Sequence, residues 1–255
     1  KSYSSYKKFS WLYRRIFAHI DKVYAQSDLD KKRLEELGAL DVEVTGNIKL
    51  STMPKVTKEY KKPDGFVTTA GSTHENEEKL ILDAYNRKQG RLVIVPRHPE
   101  RFNSVTKLCI NKGYSLAKRS EDTVVNMQDI WLLDTLGELM AAYALANIVT
   151  MGGSFSHIGG HNPLEPALFK KPIIVGSDMG NFKEILSQLK QNEGVFQLSP
   201  ASENNYPAQQ LAQAVIKLLK DSEAANLLGS QAHQVVLNNQ GASARTLAQV
   251  KELLT

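Results

Sequence analysis

The densest chemistry in this 255-residue chain lies in one segment, Met151-Gly-Gly-Ser-Phe-Ser-His-Ile-Gly-Gly-His-Asn-Pro-Leu-Glu-Pro166. Two glycine pairs let backbone amides approach an anion closely. The segment then enters a predicted helix with Asn162 at the N-cap, Pro163 first, Leu164 second and Glu165 third. A helix N-terminus behind a glycine loop is a ready phosphate site. Glu165 has two readings. As the third residue of a capping box it stabilises the helix by roughly 1 kcal/mol. As a ligand contact, its carboxylate accepts hydrogen bonds from a ribose diol, and the long polar loop before it favours this second role.

Three further loops carry unusual residues. Pro96-Arg97-His98-Pro99-Glu100-Arg101-Phe102 follows an apolar stretch directly. Arg97 could hold a phosphate or carboxylate bidentately, or it could be salt-bridged at a sheet edge. Arg101 is expected to pair with Glu100 or to face solvent. In Asp134-Thr-Leu-Gly-Glu138, Leu136 and Gly137 form a turn that allows close backbone approach, and Glu138 opens a helix. Backbone contact to a base or phosphate and a plain strand-to-helix turn are both open there. In Gly71-Ser72-Thr73-His74-Glu75, Ser72 and Glu75 have capping-box spacing, which leaves His74 over as the residue for a ligand.

Four of the six histidines, His74, His98, His157 and His161, fall in these loops. His157 and His161 have a zinc-like spacing, but Gly159 and Gly160 stand between them, so no helix aligns the rings. No thiolate is near, and metal is not expected. Hydrogen bonding of His74, His98, His161, Ser72 and Ser154 to substrate or loop carbonyls is expected instead. A Gly-x-Ser-x-Gly elbow is absent, which argues against Ser-His-Asp chemistry.

The elements that position these loops form a regular series. Apolar stretches predict strands over 23–26, 42–45, 66–69, 92–95, 130–133, 148–151 and 173–175. Amphipathic stretches predict helices over 28–37, 75–87, 105–112, 138–145, 163–170, 208–220, 223–237 and 242–254. Ser27 with Asp30 caps the first helix and Gly38 ends it. Residues 51–64, polar and with two prolines, read as a linker or domain edge. Short apolar strands alternating with helices imply an α/β fold, a parallel sheet covered on both faces. Ligands bind such sheets at the carboxyl ends of the strands. The four loops sit at those ends and should converge on one edge.

Composition excludes less. With 42% hydrophobic and 23% charged residues the chain is neither disordered nor fibrous. No apolar run reaches the roughly 20 residues of a membrane-spanning helix. A single cysteine, Cys109, excludes an internal disulfide, fits a reducing compartment and reads as a buried hydrophobe. The net charge of +5 suits an acidic ligand, nucleic acid or an anionic membrane without selecting one. Over the first 17 residues, Tyr3, Tyr6, Phe9, Trp11, Leu12, Tyr13, Ile16 and Phe17 are interleaved with Lys1, Lys7, Lys8, Arg14 and Arg15. That pattern suits an interfacial helix on anionic lipid or a basic helix packed on a neighbouring domain. The chain opens on Lys1 without a signal-peptide layout, which reads as a front that has been cut or processed.

At these loops the sequence resembles the 3-deoxy-D-manno-octulosonic acid (Kdo) transferases of lipopolysaccharide synthesis, glycosyltransferase family 30. Four blocks carry the likeness: Ala25-Gln26-Ser27 with Val44-Thr45-Gly46-Asn47; Gly71-Ser72-Thr73-His74-Glu75; Val95-Pro-Arg-His-Pro-Glu-Arg-Phe102; and Gly152-Gly-Ser154 with Gly159-Gly-His-Asn-Pro-Leu-Glu-Pro-Ala167. They cover roughly residues 21 to 190 and keep the family's order. The resemblance implies a GT-B-type, Rossmann-like enzyme that moves Kdo from CMP-Kdo to the lipid A precursor (lipid IVA). It implies action at the cytoplasmic face of the bacterial inner membrane and no bound metal or cofactor. By likeness, the CMP-Kdo contacts are Pro96, Arg97, Leu136, Gly137, Glu138, Asn162, Pro163, Leu164 and Glu165.

Family members are longer, and their catalytic base, a glutamate of the N-terminal domain, has no counterpart in this sequence. Residues 1–49 then read as the tail of the N-terminal, acceptor-side domain. Residues 50–240 read as the C-terminal donor domain, and 241–255 as a helix that could pack back on the N-terminal part. No catalytic residue is expected in this chain, and alone it should be inactive or nearly so. Two other readings stay open: another GT-B enzyme, such as a UDP-sugar transferase or epimerase, or a non-catalytic nucleotide- or membrane-binding module. Nucleic acid is not an expected partner, because the basic residues are not gathered with stacking aromatics beyond residue 17.

Overall fold

The structure, a computed structural model, describes residues 3–46, 56–121, 128–203 and 205–253. Lys1, Asn47, the domain boundary at 49–50, linker residues 51–55 and Leu254 lie outside the described residues. The chain divides into two compact units, residues 1–53 with 237–255, and residues 54–236.

The smaller unit begins with two helices, α1 (Tyr3–Lys8) and α2 (Ser10–Phe17). Strand β1 (Val23–Ala25), helix α3 (Asp28–Glu36) and strand β2 (Val42–Val44) follow, the two strands pairing in parallel. The Ser27 hydroxyl accepts from the Asp30 amide at 3.2 Å and donates to the Asp30 carboxylate at 2.9 Å, so the predicted cap forms. Gly38, at φ +106°, stops α3. The C-terminal helix, Ala242–Leu253, belongs to this unit, and its Arg245 donates to the Thr45 carbonyl at 3.0 Å. Along α1 and α2, Tyr6, Phe9, Trp11, Leu12 and Ile16 are exposed, Trp11 to 62%. Among the described residues no helix is long and apolar enough to cross a membrane.

The larger unit is built on a seven-stranded, wholly parallel sheet. Its strands are β3 (Val67–Thr73), β4 (Arg91–Pro96), β5 (Leu116–Lys118), β6 (Ile130–Leu132), β7 (Ile148–Met151), β8 (Ile173–Val175) and β9 (Phe196–Gln197). Their spatial order is β5-β6-β4-β3-β7-β8-β9. Helices α4 (Glu77–Ala84), α5 (Phe102–Asn111), α6 (Leu139–Leu145), α7 (Leu164–Ala167), α8 (Lys183–Gln191), α9 (Pro207–Lys220) and α10 (Ser222–Asn239) connect and follow them. Side chains alternate between two cores, as the pleat requires. Leu92 and Ile94 of β4 join Leu82 of α4, Val105 of α5 and Leu211 of α9, whereas Val93 and Val95 join Trp131 and Leu145 on the other face. Helices on both faces make this the expected Rossmann-like α/β fold. Cys109 is fully buried in the first core, and burial pushes its thiol up to about 12.

Local differences from the sequence reading have physical causes. Strand β3 runs on to Thr73, and Ser72 within it sits at φ +55°. The predicted Ser72–Glu75 cap therefore does not form, and the following helix is shorter, Glu77–Ala84. The helix predicted over 163–170 is a single turn, Leu164–Ala167. Pro166 inside it lacks an amide proton, and Lys170 leaves the helical region at φ +55°. Strands β5 and β9 and helix α8 were not predicted, because neither strand has an apolar run.

Candidate functional site

Four carboxyl ends of strands meet at one edge of the larger unit. Strand β3 is central there, with Gly71 paired to Met151 of β7 and Thr73 to Pro96 of β4. The amide of Arg97 donates to the Thr73 carbonyl at 3.0 Å, and that of Gly152 to the Gly71 carbonyl at 2.8 Å. The Arg97 loop and the glycine loop therefore flank His74. Glycine is required at two of these joins. A Cβ on Gly71 would strike the buried Tyr143 phenol, and one on Gly152 would strike the Ser72 backbone.

The glycine loop already holds an anion, and it is internal. Glu77, 1% exposed at the start of α4, accepts from the amides of Gly153 at 2.7 Å and Phe155 at 3.0 Å. It also accepts from the Ser156 hydroxyl and the His74 amide, each at 3.0 Å. The expectation that glycine-loop amides cradle a ligand phosphate is corrected here, because a buried carboxylate uses them. Ser154 is corrected as well. Its fully buried hydroxyl donates to the Met151 carbonyl at 2.5 Å and accepts from the Gly176 amide at 2.7 Å, so it pins the loop and cannot reach a ligand. Sequence reasoning missed Glu77, although His74-x-x-Glu77 has capping spacing.

The outer groups are different. Arg97 is exposed, and among the described residues it has no ion-pair partner, so the sheet-edge salt bridge does not form. Asn162 accepts from the Leu164 amide through Oδ1 at 3.1 Å, leaving its own amide N–H groups without a partner among the described residues. Leu164 is fully buried and Pro163 is buried, so neither side chain faces a ligand. A one-turn helix supplies little dipole, and two of its first amides are already bonded, to the Asn162 side chain and carbonyl. No phosphate site is left at the helix end; the groups that stay open there are the Asn162 side-chain amide and the Glu165 carboxylate. Among the described residues no group donates to Glu165. Burial pushes its carboxyl up to about 7, against the pull of the Arg97 charge.

Two histidines expected near a ligand touch each other. His74 Nε2 and His161 Nε2 lie 2.7 Å apart, with rings parallel to within 5° and centroids 5.0 Å apart. His98 meets His74 edge-on at 5.3 Å. Burial pushes His161 down to about 4, with repulsion from His74, Arg97 and His98 adding to it. His74 is also lowered, by burial first. His157, exposed on the loop, is not part of the pair. Among the described residues no group of three or more His, Cys, Asp or Glu side chains is placed to share a metal ion.

At the end of β6, Glu138 is committed to the fold. It is 4% exposed and accepts from Lys58, Tyr60, Thr135 at 2.8 Å and Arg119 at 3.1 Å. Burial alone would raise its carboxyl; these hydrogen bonds and charges hold it at about 2. Its side chain is thus not available to a ligand, and any contact from Glu138 to a nucleotide would run through its backbone. Leu136, 73% exposed, and Gly137, at φ +81°, remain outward. Arg101 does not pair with Glu100. It bonds Glu78 at 2.9 Å and Glu75 at 3.3 Å, tying the loop after β4 to helix α4.

Known proteins match this arrangement. Residues 1–52 fit the family model described as 3-deoxy-D-manno-octulosonic-acid transferase (kdotransferase). The 3-deoxy-D-manno-octulosonic acid transferase of Haemophilus influenzae is 33% identical over 270 residues, covering 100% of this chain and 62% of the relative. The chain therefore spans under two thirds of that relative's length. The crystal structure of the C-terminal CMP-Kdo binding domain of WaaA from Acinetobacter baumannii is 34% identical, with a TM-score of 0.62. That match covers 68% of this chain and 90% of the domain. The pneumococcal O-GlcNAc transferase GtfA, 12% identical with a TM-score of 0.59 over 96% of this chain and 47% of its own, shares the fold alone. From the sequence blocks, the sheet and these relatives together, the chain belongs to the family of 3-deoxy-D-manno-octulosonic acid transferases.

Proposed function

We propose that this chain is the donor-holding part of a glycosyltransferase that moves Kdo from CMP-Kdo to the lipid A precursor in lipopolysaccharide synthesis. One observation carries the reading. Arg97 and Glu165, opposite in charge when the carboxyl is ionised and both with side chains unbonded among the described residues, belong to the two loops that flank His74 at the same sheet edge. Arg97 would grip the phosphate bidentately, while Asn162 and Glu165 would take the ribose diol. The turn at Leu136 and Gly137 would meet the base through its backbone. Likeness to the Acinetobacter CMP-Kdo binding domain supports CMP as the nucleotide.

In the reaction, the acceptor hydroxyl attacks the anomeric carbon as the bond to the phosphate oxygen breaks. CMP leaves with the electron pair, and Arg97 stabilises the charge that builds on it. The hydroxyl proton passes to a base that we assign to the part of the relatives this chain does not span. No metal or cofactor is proposed, so EDTA should leave CMP binding unchanged. The exposed aromatic and basic face of α1 and α2 supports docking on an anionic membrane, at the cytoplasmic face of the bacterial inner membrane. Replacing Lys7, Lys8, Arg14 and Arg15 with Glu should abolish binding to anionic vesicles.

Titration calorimetry with CMP and UDP tests the nucleotide reading. CMP should bind more tightly. Tighter UDP binding would instead assign the chain to the UDP-sugar enzymes that share its fold.

A further inference from the structure

We infer that the His74–His161 pair seats the sugar's carboxylate, the second negative charge of the donor. This rests on the CMP-Kdo reading proposed above. An octulosonic acid joined to CMP presents two anions, one on the phosphate and one on the sugar itself. Arg97 answers the phosphate. The carboxylate needs N–H donors that the fold has not already used. The glycine-loop amides of Gly153 and Phe155 are bonded to Glu77, and the Leu164 amide to Asn162. Among the described residues the side chains of His74 and His161 have no hydrogen-bond partner but each other.

Their geometry defines what they can do. Parallel rings with 5.0 Å between centroids and 2.7 Å between Nε2 atoms lie nearly end to end, with a proton between them. In the neutral pair one Nε2 carries that proton and the other accepts it. A proton added at the accepting Nε2 puts an N–H on both facing nitrogens and breaks their bond; one added at the Nδ1 of the donor ring keeps the bond and turns that ring into a charged N–H donor, and in either case a carboxylate gains a cationic donor. The charged and titratable groups around the pair are Glu77, His98, Arg97 and Arg101. Glu77 is spent on the loop amides, and burial first, with the neighbouring arginines and His98 adding to it, keeps the pair uncharged until an anion arrives. An opposite charge within about 4–6 Å raises the pKa of such a group by about 1–3. Sugar binding should therefore draw a proton from solution onto the pair. Glu77, bonded to the His74 amide and to Gly153, keeps the two rings in register; it is a positioning residue.

The test compares CMP with CMP-Kdo by calorimetry at pH 6, in two buffers of different protonation enthalpy. The chain should bind CMP-Kdo at least tenfold more tightly than CMP and take up more protons with it. Taking the difference between ligands removes any proton exchanged at Glu165, which both ligands meet equally. His161→Leu should erase the tenfold gap and the extra uptake while CMP affinity changes less than twofold, which also shows that the variant folds. His161→Gln, which keeps an N–H near the Nε2 position, should restore part of the gap without the proton uptake. His74→Leu should repeat the His161→Leu result. A gap that survives both Leu variants overturns the subsite while leaving the CMP reading intact. Equal affinity for CMP and CMP-Kdo in the unaltered chain does the same. Absence of CMP binding in the unaltered chain overturns the nucleotide reading and the subsite together.

Discussion

Glu138 and Glu165 stand at the same edge of one sheet, each where a strand gives way to a helix, and they differ in almost every other respect. Glu138 accepts from Lys58, Tyr60, Thr135 and Arg119, and despite burial it is held at about 2. Glu165 accepts from no described residue, and burial pushes it up to about 7. A carboxylate that the fold surrounds with N–H and O–H groups serves the fold. A half-buried carboxylate left without them costs stability when ionised and has its acceptor capacity open to a ligand. The same distinction separates Arg101, bonded to Glu78 and Glu75, from Arg97, whose guanidinium has no ion-pair partner among the described residues.

The comparison breaks first if Glu138 proves dispensable. Glu138→Ala leaves Arg119 and Tyr60 facing a lost acceptor and should cost about 3 kcal/mol in urea unfolding. A loss below about 1 kcal/mol would mean that the clamp is not structural. Arg97→Ala should weaken CMP binding by about 30-fold, or ~2 kcal/mol, with thermal stability unchanged. A drop in melting temperature with unaltered CMP affinity would exchange the roles of the two arginines.

Glu165→Gln should weaken CMP about tenfold above pH 7, and it sharpens the comparison through pH. The folded carboxyl, at about 7, holds its proton where the unfolded one, at 4.5, has lost it. Wild-type stability should therefore decline as pH rises from 4.5 to 7, with the full penalty present above 7. CMP affinity should rise as pH passes through about 7, where the folded carboxyl ionises and can accept from the diol. In Glu165→Gln both trends should flatten. A variant that keeps either slope places the titration elsewhere. For Glu138 the sign is opposite: its contribution is present above 4.5 and lost as pH falls through about 2. The smallest effect belongs to Leu136→Ala, which should change CMP affinity less than twofold, since the turn is proposed to act through its backbone.

Much of this edge was legible in the sequence. Buried strands announce themselves as apolar runs, and 148–151 and 173–175 were read with their observed ends. The loops that follow strands were found for the same reason, and Arg97 and Glu165 with them. What the sequence hid is the partner of each polar group. Glu77 and Gly153 are 76 positions apart, Tyr60 and Glu138 78, and His74 and His161 87. No local spacing reports such pairs, so Ser154 and Glu138 looked like ligand contacts when they serve the loops. Strands β5 and β9 escaped because they pair at the sides of the sheet without apolar runs of their own. The length of α7 was misjudged because Pro163 and Asn162 signal a start, while the stop at Pro166 and Lys170 depends on backbone geometry.

The internal carboxylate of Glu77 bears on how this architecture can be inherited or rebuilt. A loop that waits for its ligand's phosphate can be moved with its own sequence alone. The loop after β7 cannot, because the charge that shapes it arrives from the start of α4, 76 positions earlier in the chain. Segment and brace form one unit of exchange: a recombinant that takes 152–165 from one relative and 74–78 from another is safe only where both parents carry the acid at Glu77. Shuffling between such parents would keep the loop folded without nucleotide, and a crossover that loses the acid would leave the amides of Gly153 and Phe155 buried with nothing to bind.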